Sequence, residues 1–333
     1  METKKCKGPC GEIKPLDQFA KMVASKDGRQ PLCRKCDKDR CTKYFDEHPL
    51  ALWGSSQRKN SKVRGKPIKM TVQELVQWAE ATPTCELTGL KLTYGRDNNG
   101  QRLRSTASVD HINPNIEGIL ENLGIIRDPF NMAKNAYSIQ DLTNFIHNLY
   151  DNRSQLRLYM IHKVDEIELI PYKRQYNVGT NWRWKWADNV RRNHLDSKYR
   201  KSKKDVWDIS RDYIYSVAIN TDFCQMCNRR IYYAGEDSNR KGRQPDSASF
   251  DRIDTSKAYT IGNVGIICDQ CNGFKGRGTL EELLEDLNAY LKHEDDLVAD
   301  YQKRADALKR DYVKRGHIQG RLDMSYGSCL QLG

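Results

Sequence analysis

The stretch SVDHINPNIEGILENLGIIRDPFNMAKN, residues 108–135, decides the fold because the chain carries it twice. Residues 249–276 read SFDRIDTSKAYTIGNVGIICDQCNGFKG and align without a gap at an offset of 141 residues. Asp110 falls on Asp251, Ile112 on Ile253, Asn122 on Asn263, Gly124-Ile125-Ile126 on Gly265-Ile266-Ile267, Asn131 on Asn272 and Lys134 on Lys275. Val109-Asp110-His111 alternates apolar and polar, as a strand edge does. ENLGII is predicted to be a second strand entered through Asn122, and NMAKN leads into a helix with Asn131 near its start. Each copy is therefore expected to fold as strand–strand–helix. The copies differ where chemistry would sit: His111 becomes Arg252, and Arg127 with Phe130 becomes Cys268 with Cys271.

Outward from the repeat, the bulk numbers narrow the partner. The 333 residues carry a net charge of +12, with a pI near 9.1 and a mean hydropathy of −0.81. Such a balance favours a polyanion, most often nucleic acid. No apolar run approaches the roughly 20 residues that span a bilayer, so no membrane partner is expected. The opening METKKCKG has no apolar segment after its lysines, which argues for a chain that stays in a reducing cytoplasm. If the gene is phage-borne, that is the host cytoplasm.

Eight of the 11 cysteines form four close pairs: Cys6/Cys10, Cys33/Cys36, Cys224/Cys227 and Cys268/Cys271. In a cytosolic chain this spacing predicts zinc ligands rather than disulfides. Two structural zinc ions are expected, one per set of four. Cys41, Cys85 and Cys329 are left as ordinary small side chains.

Four segments follow. Residues 1–45 form a small four-cysteine zinc-binding module, and 46–170 the first repeat domain, opened by a basic, irregular stretch over 46–70. Residues 171–206 form a basic connector with the run NWRWKW, and 207–333 the second repeat domain with a long C-terminal helix. Thr71-x-x-Glu74, Ser138-x-x-Asp141 and Thr279-x-x-Glu282 are capping boxes that open helices. The alternation in NWRWKW suits a strand face or stacked aromatics, with packing the preferred role for the tryptophans. Arg183, Lys185, Arg191 and Arg192 in this connector are candidate DNA contacts, as is Lys134.

Hydrolysing a phosphodiester needs a nucleophilic water, charge stabilisation at phosphate and departure of the leaving oxygen. One cation held by hard oxygens beside a neutral imidazole supplies these. The first copy carries the residue types. Adjacent strand residues face opposite ways, so a bend at Asp110-His111 would be needed to bring both to one centre.

The D-H-I triplet, an Asn before an apolar strand and a second Asn nine residues later resemble the HNH nucleases of the ββα-metal, or His-Me finger, fold. The pattern CKGPCGEIKPLDQFAKMVASKDGRQPLCRKC resembles the zinc module in front of phage-type members. The resemblance implies an α+β fold: tandem ββα-metal domains, a small N-terminal zinc-binding module and a long C-terminal helix. It implies an endonuclease that hydrolyses DNA phosphodiesters. His111 would be the general base, Asp110 and Asn131 would hold Mg²⁺ or Mn²⁺, and Asn122 would hold the loop and orient the imidazole. The order Cys pair, D-H, Cys pair is shared with phage recombination endonucleases that resolve branched DNA, and a homing endonuclease is equally compatible. One complete site implies nicking by a monomer, and a double-strand cut implies a homodimer or an active second copy.

The second copy resembles a phage HNH-like variant in which Cys224, Cys227, Cys268 and Cys271 bind structural zinc. Arginine stays protonated, so Arg252 cannot replace a histidine base, but it grips phosphate well. Lys275 and Arg277 add charge beside it. We favour a degenerate copy kept for fold and DNA grip over a second, altered site built on Asp251, Asn263 and Asn272. In the first copy Cys85 remains, while Thr88, Arg127 and Phe130 occupy the other three zinc-ligand positions. The non-enzymatic alternative is a zinc-dependent DNA-binding protein derived from such a nuclease.

Overall fold

The computed structural model describes residues 2–95, 103–161, 182–196, 209–237 and 242–314. The fold is mixed α and β, and its sheets among the described residues are two-stranded. The chain divides into two compact units between Ala81 and Thr82.

In the first unit β1 (Thr3–Lys5) pairs antiparallel with β2 (Ile13–Pro15), and β3 (Phe19–Lys21) with β4 (Arg29–Cys33). Isolated ribbons this short are not stable in water. They are built around Cys6, Cys33, Cys36 and Phe19, with Cys10 and Leu32 packed alongside. Three helices follow: α1 (Arg34–Glu47), α2 (Pro49–Val63) and α3 (Val72–Ala81). The expected irregular stretch after residue 45 is thus largely α2. Pro49 suits its first turn, and burial of Trp53, Gly54 and Ser61 leaves the lysines and arginines on its outer face. The Thr71–Glu74 capping box opens α3 as expected.

The second unit holds both repeats. In the first, β5 (Ala107–His111) pairs antiparallel with β6 (Leu123–Arg127), and α4 (Asp128–Lys134) follows. Next come α5 (Ile139–Asp151), opened by the Ser138–Asp141 capping box, and α6 (Arg153–Ile161). The expected continuation of this helical stretch to about residue 170 lies outside the described residues.

The tryptophan run forms α7 (Trp182–Asp196), not a strand. In a helix Trp182 and Trp186 share a face. Trp186 is buried edge-on against Tyr233, with ring centroids 5.1 Å apart, so the packing role holds and the strand reading does not. The connector beyond 196 lies outside the described residues.

Helix α8 (Arg211–Ile219) leads into the second repeat, where β7 (Ala248–Arg252) pairs with β8 (Val264–Cys268) ahead of α9 (Asp269–Lys275). Then follow α10 (Leu280–Lys292), with its Thr279–Glu282 capping box, one π-helical turn over Glu294–Val298, and α11 (Ala299–Lys314). The long C-terminal helix is therefore two helices joined by that turn. Cys329 lies outside the described residues.

Helices α4 and α9, equivalent in the repeat, pack on each other. Met132 and Gly273, exact counterparts at the offset of 141 residues, meet there. A β-carbon on Gly273 would lie 3.2 Å from the Met132 carbonyl oxygen. Phe130 and Phe274 meet edge-on at 5.4 Å, and Phe130 stacks on Tyr290 at 5.5 Å.

Candidate functional site

Both repeats have the same strand register. Asp110 lies opposite Gly124 and His111 opposite Leu123, just as Asp251 lies opposite Gly265 and Arg252 opposite Val264. The ladder runs through to His111 without the bend that a shared centre for Asp110 and His111 would need. Regular pleating sends the two side chains to opposite faces.

The Asp110 carboxylate faces inward. It is 2 % exposed. Its Oδ1 accepts from Lys134 Nζ at 3.1 Å and its Oδ2 from the Tyr301 hydroxyl at 2.8 Å. Lys134 Nζ also donates to the His111 carbonyl at 2.8 Å. The second repeat carries the same cluster. Asp251 Oδ2 lies 3.0 Å from Lys275 Nζ and accepts from the Tyr159 hydroxyl at 2.7 Å, while Lys275 Nζ donates to the Arg252 carbonyl at 2.7 Å. Burial, followed by the neighbouring carboxylate, pushes both phenols well above their usual range, so they remain donors. Burial also raises the Asp251 carboxyl, against the pull of Lys275.

This arrangement corrects two expectations. Asp110 and Asn131 do not fit a divalent-cation site as folded. An ammonium group 3.1 Å from Asp110 Oδ1 repels a second cation. The Asn131 amide donates to Ser108 Oγ at 2.7 Å and to the Val109 carbonyl at 3.0 Å, tying α4 to β5. The matching Asn272 amide donates to Ser249 Oγ at 2.7 Å, and Asp251 is closed off by Lys275 in the same way. Lys134 and Lys275, expected on DNA, are both fully buried ion-pair partners and cannot reach a phosphate.

Asn122 is fully buried and holds the loop between the strands. Its Oδ1 accepts from Asn113 N at 2.8 Å, and its amide donates to the carbonyls of Asn113, Ile116 and Glu117 at 3.0, 3.1 and 3.0 Å. Asn263 does the same for its loop through Asp254 N and the carbonyls of Asp254 and Ala258. The loop-holding role is what these contacts describe. His111 ends β5 half-buried.

The two cysteine clusters form as expected. Within each, the four sulfurs lie within 4.8 Å of one another. Cys10–Cys33 and Cys227–Cys268 each measure 3.8 Å. Four thiolates about 2.3 Å from one zinc sit roughly 3.8 Å apart, so both sets fit a tetrahedral ion. Backbone amides of Gly8 and Cys33 point at Cys6 Sγ, that of Cys268 at Cys224 Sγ and that of Cys271 at Cys268 Sγ. These bonds favour thiolates. The Cys33 amide holds the Cys6 thiol down to about 6 against desolvation.

Where the first repeat lacks thiols, other contacts occupy the place of the cysteine cluster. Cys85 keeps the turn geometry, accepting from Arg127 N at 3.4 Å. Arg127 and Arg104 both grip Asp286 of α10, which is fully buried. Phe130 fills the position of Cys271 with a ring.

Of the remaining expected DNA contacts, Arg183 serves the fold. It donates to the carbonyls of Ala218 and Ile219 at the end of α8, pairs with Asp222 and lies over Tyr233. Lys185 lies over the Trp182 ring. Arg191, Arg192 and Arg277 are exposed, and Arg192 pairs with Asp188. Arg252 is half-exposed over the Tyr259 ring and donates to the Lys257 carbonyl.

No protein-family model, curated protein or solved structure matches this chain. No described helix is long and apolar enough to cross a membrane. The sequence reading missed Tyr159, Tyr301, Asp286 and the meaning of Gly124 and Gly265. The glycines stood in the alignment, and only the folded neighbours show why they are small.

Proposed function

We propose that the first repeat is a nucleic-acid phosphodiester hydrolase centred on His111, and that the second is a zinc-stabilised copy that holds DNA. The observation that carries the reading is the matching pair of strand–strand–helix units, of which one ends its first strand in histidine and the other in arginine. A neutral imidazole at the end of β5 can take a proton from water. Asn122 fixes the loop beside it, and the Lys134 bond to the His111 carbonyl fixes the strand end. Arg252, at the equivalent end of β7, suits an anion. The excess of 12 positive charges supports a polyanionic substrate.

A divalent cation would supply phosphate clamping and charge neutralisation. Because Asp110 is closed by Lys134, no step is assigned through such an ion. Recombination or homing roles rest on the resemblance alone.

The buried Asp–Lys–Tyr cluster favours a second reading. It occurs also in the copy without histidine, so its common role is to hold the fold, as a non-catalytic DNA-binding protein would require. Supercoiled plasmid incubated with the protein and Mg²⁺, or Mn²⁺, separates the two. Hydrolysis requires nicked or linear product from the wild type and none from His111→Ala. Binding without product from either protein supports the second reading.

A further inference from the structure

Each repeat's buried aspartate receives its tyrosine from the other half of the chain. Tyr159 lies on α6, which follows the first repeat, yet its hydroxyl donates to Asp251 of the second. Tyr301 lies on α11, which follows the second repeat, yet its hydroxyl donates to Asp110 of the first. The two tyrosines occupy near-equivalent places, 142 residues apart against the 141 of the repeat itself. The helices have therefore exchanged places between the repeats.

The strands are shaped for this exchange. Gly124 lies directly opposite Asp110, and Gly265 directly opposite Asp251. A β-carbon on Gly124 would lie 2.5 Å from Tyr301 Cε2, and one on Gly265 would lie 2.6 Å from Tyr159 Cε2. Neither spacing is tolerated, so each glycine is the notch through which the exchanged tyrosine reaches its aspartate. A second contact fixes α11 on the first repeat. Arg304 donates to Glu86 Oε2 at 2.5 Å and to the Leu123 carbonyl at 2.7 Å, and Glu86 Oε1 accepts from Ile125 N. Arg304 thus holds β6 at the residue paired with His111.

We infer that Tyr301, delivered by the second half of the chain, is a positioning residue for the first repeat's site, which is incomplete until α11 has docked. The link runs from the Tyr301 hydroxyl to Asp110, from Asp110 to Lys134 Nζ, and from that same ammonium to the His111 carbonyl. Tyr301 touches no substrate in this scheme. It fixes the strand end that presents His111. The inference rests on the hydrolase reading for its kinetic consequence only, since the exchange of helices is independent of any chemistry.

The test is hydrogen exchange and cleavage kinetics on the full-length, zinc-loaded protein. Tyr301→Phe should speed amide exchange in β5 and β6 about tenfold, although the substitution lies in the other half, and should leave β7 and β8 unchanged. Tyr159→Phe should do the reverse. Gly124→Ala should reproduce the Tyr301→Phe pattern by closing the notch. In plasmid cleavage Tyr301→Phe should lower kcat roughly tenfold or more at unchanged KM. Exchange changes confined to α11, or equal loosening of both strand pairs by either variant, would overturn the inference. Loosened strands with an unaltered kcat would overturn the positioning role. If the wild type cleaves nothing, the hydrolase reading fails, and the exchange pattern alone decides whether α6 and α11 have crossed.

Discussion

Arg127 and Asp286 form a buried ion pair at the place where the second repeat has a cysteine of its four-thiol cluster. Arg127 is the counterpart of Cys268, and Asp286 comes from α10 of the opposite half. Where the second repeat gathers four thiols within itself, the first repeat has an electrostatic link to the other half. Arg104 joins from the other side, with its guanidinium 4.7 Å from the Phe274 ring and bonded to the Phe274 carbonyl.

Removing the acid leaves two guanidinium groups buried without it. Asp286→Ala should destabilise the second unit by about 3–5 kcal/mol, the cost of breaking a buried pair from one side. Denaturant unfolding of the variant against wild type measures it. A loss below about 1 kcal/mol would show that the pair is not structural.

Elemental analysis of the purified protein should find two zinc ions per chain. Cys33→Ala and Cys271→Ala should each remove one, and Cys85→Ala none. Thiolates are the ligands, so affinity should fall as pH drops and protons compete for sulfur.

Asn122→Ala should cost roughly 3 kcal/mol, since it empties a fully buried position and strands one amide and three carbonyls of the 113–117 loop. Thermal unfolding reads the loss. Asn263→Ala should act in the same direction on the second repeat, and more mildly, because that side chain makes one donation fewer.

Arg252 should act on affinity rather than on rate. Arg252→Ala should weaken DNA binding and reduce its log–log salt slope by about one phosphate contact. A salt titration that leaves the slope untouched would place Arg252 in the fold, on Tyr259 and Lys257.

Much of this was legible from local pattern. The gapless repeat gave both strand pairs and the short helices after them. The three capping boxes and both cysteine sets formed where their spacing put them, because caps and thiol pairs are encoded within a few residues. The tryptophan run misled for a physical reason: alternation over five residues fits a strand, yet Trp182 and Trp186 also lie one helical turn apart. Lys134 and Lys275 misled because lysine is rarely buried unless paired, and their partners stand 24 residues away on the first strand of each repeat. The exchanged tyrosines were beyond reach. Their aspartates lie 92 and 191 residues distant, and no local signal states which of two like repeats a following helix will cover.

The most direct test of the central claim is plasmid nicking by wild type and His111→Ala across a pH series. The wild type should release nicked plasmid, with the His111 imidazole taking the proton from the attacking water. The alanine variant should show no nicking at any pH while binding DNA as tightly as wild type. Nicking by His111→Ala at the wild-type rate, with the same pH profile, would contradict the assignment of His111 and with it the division of labour between the two repeats.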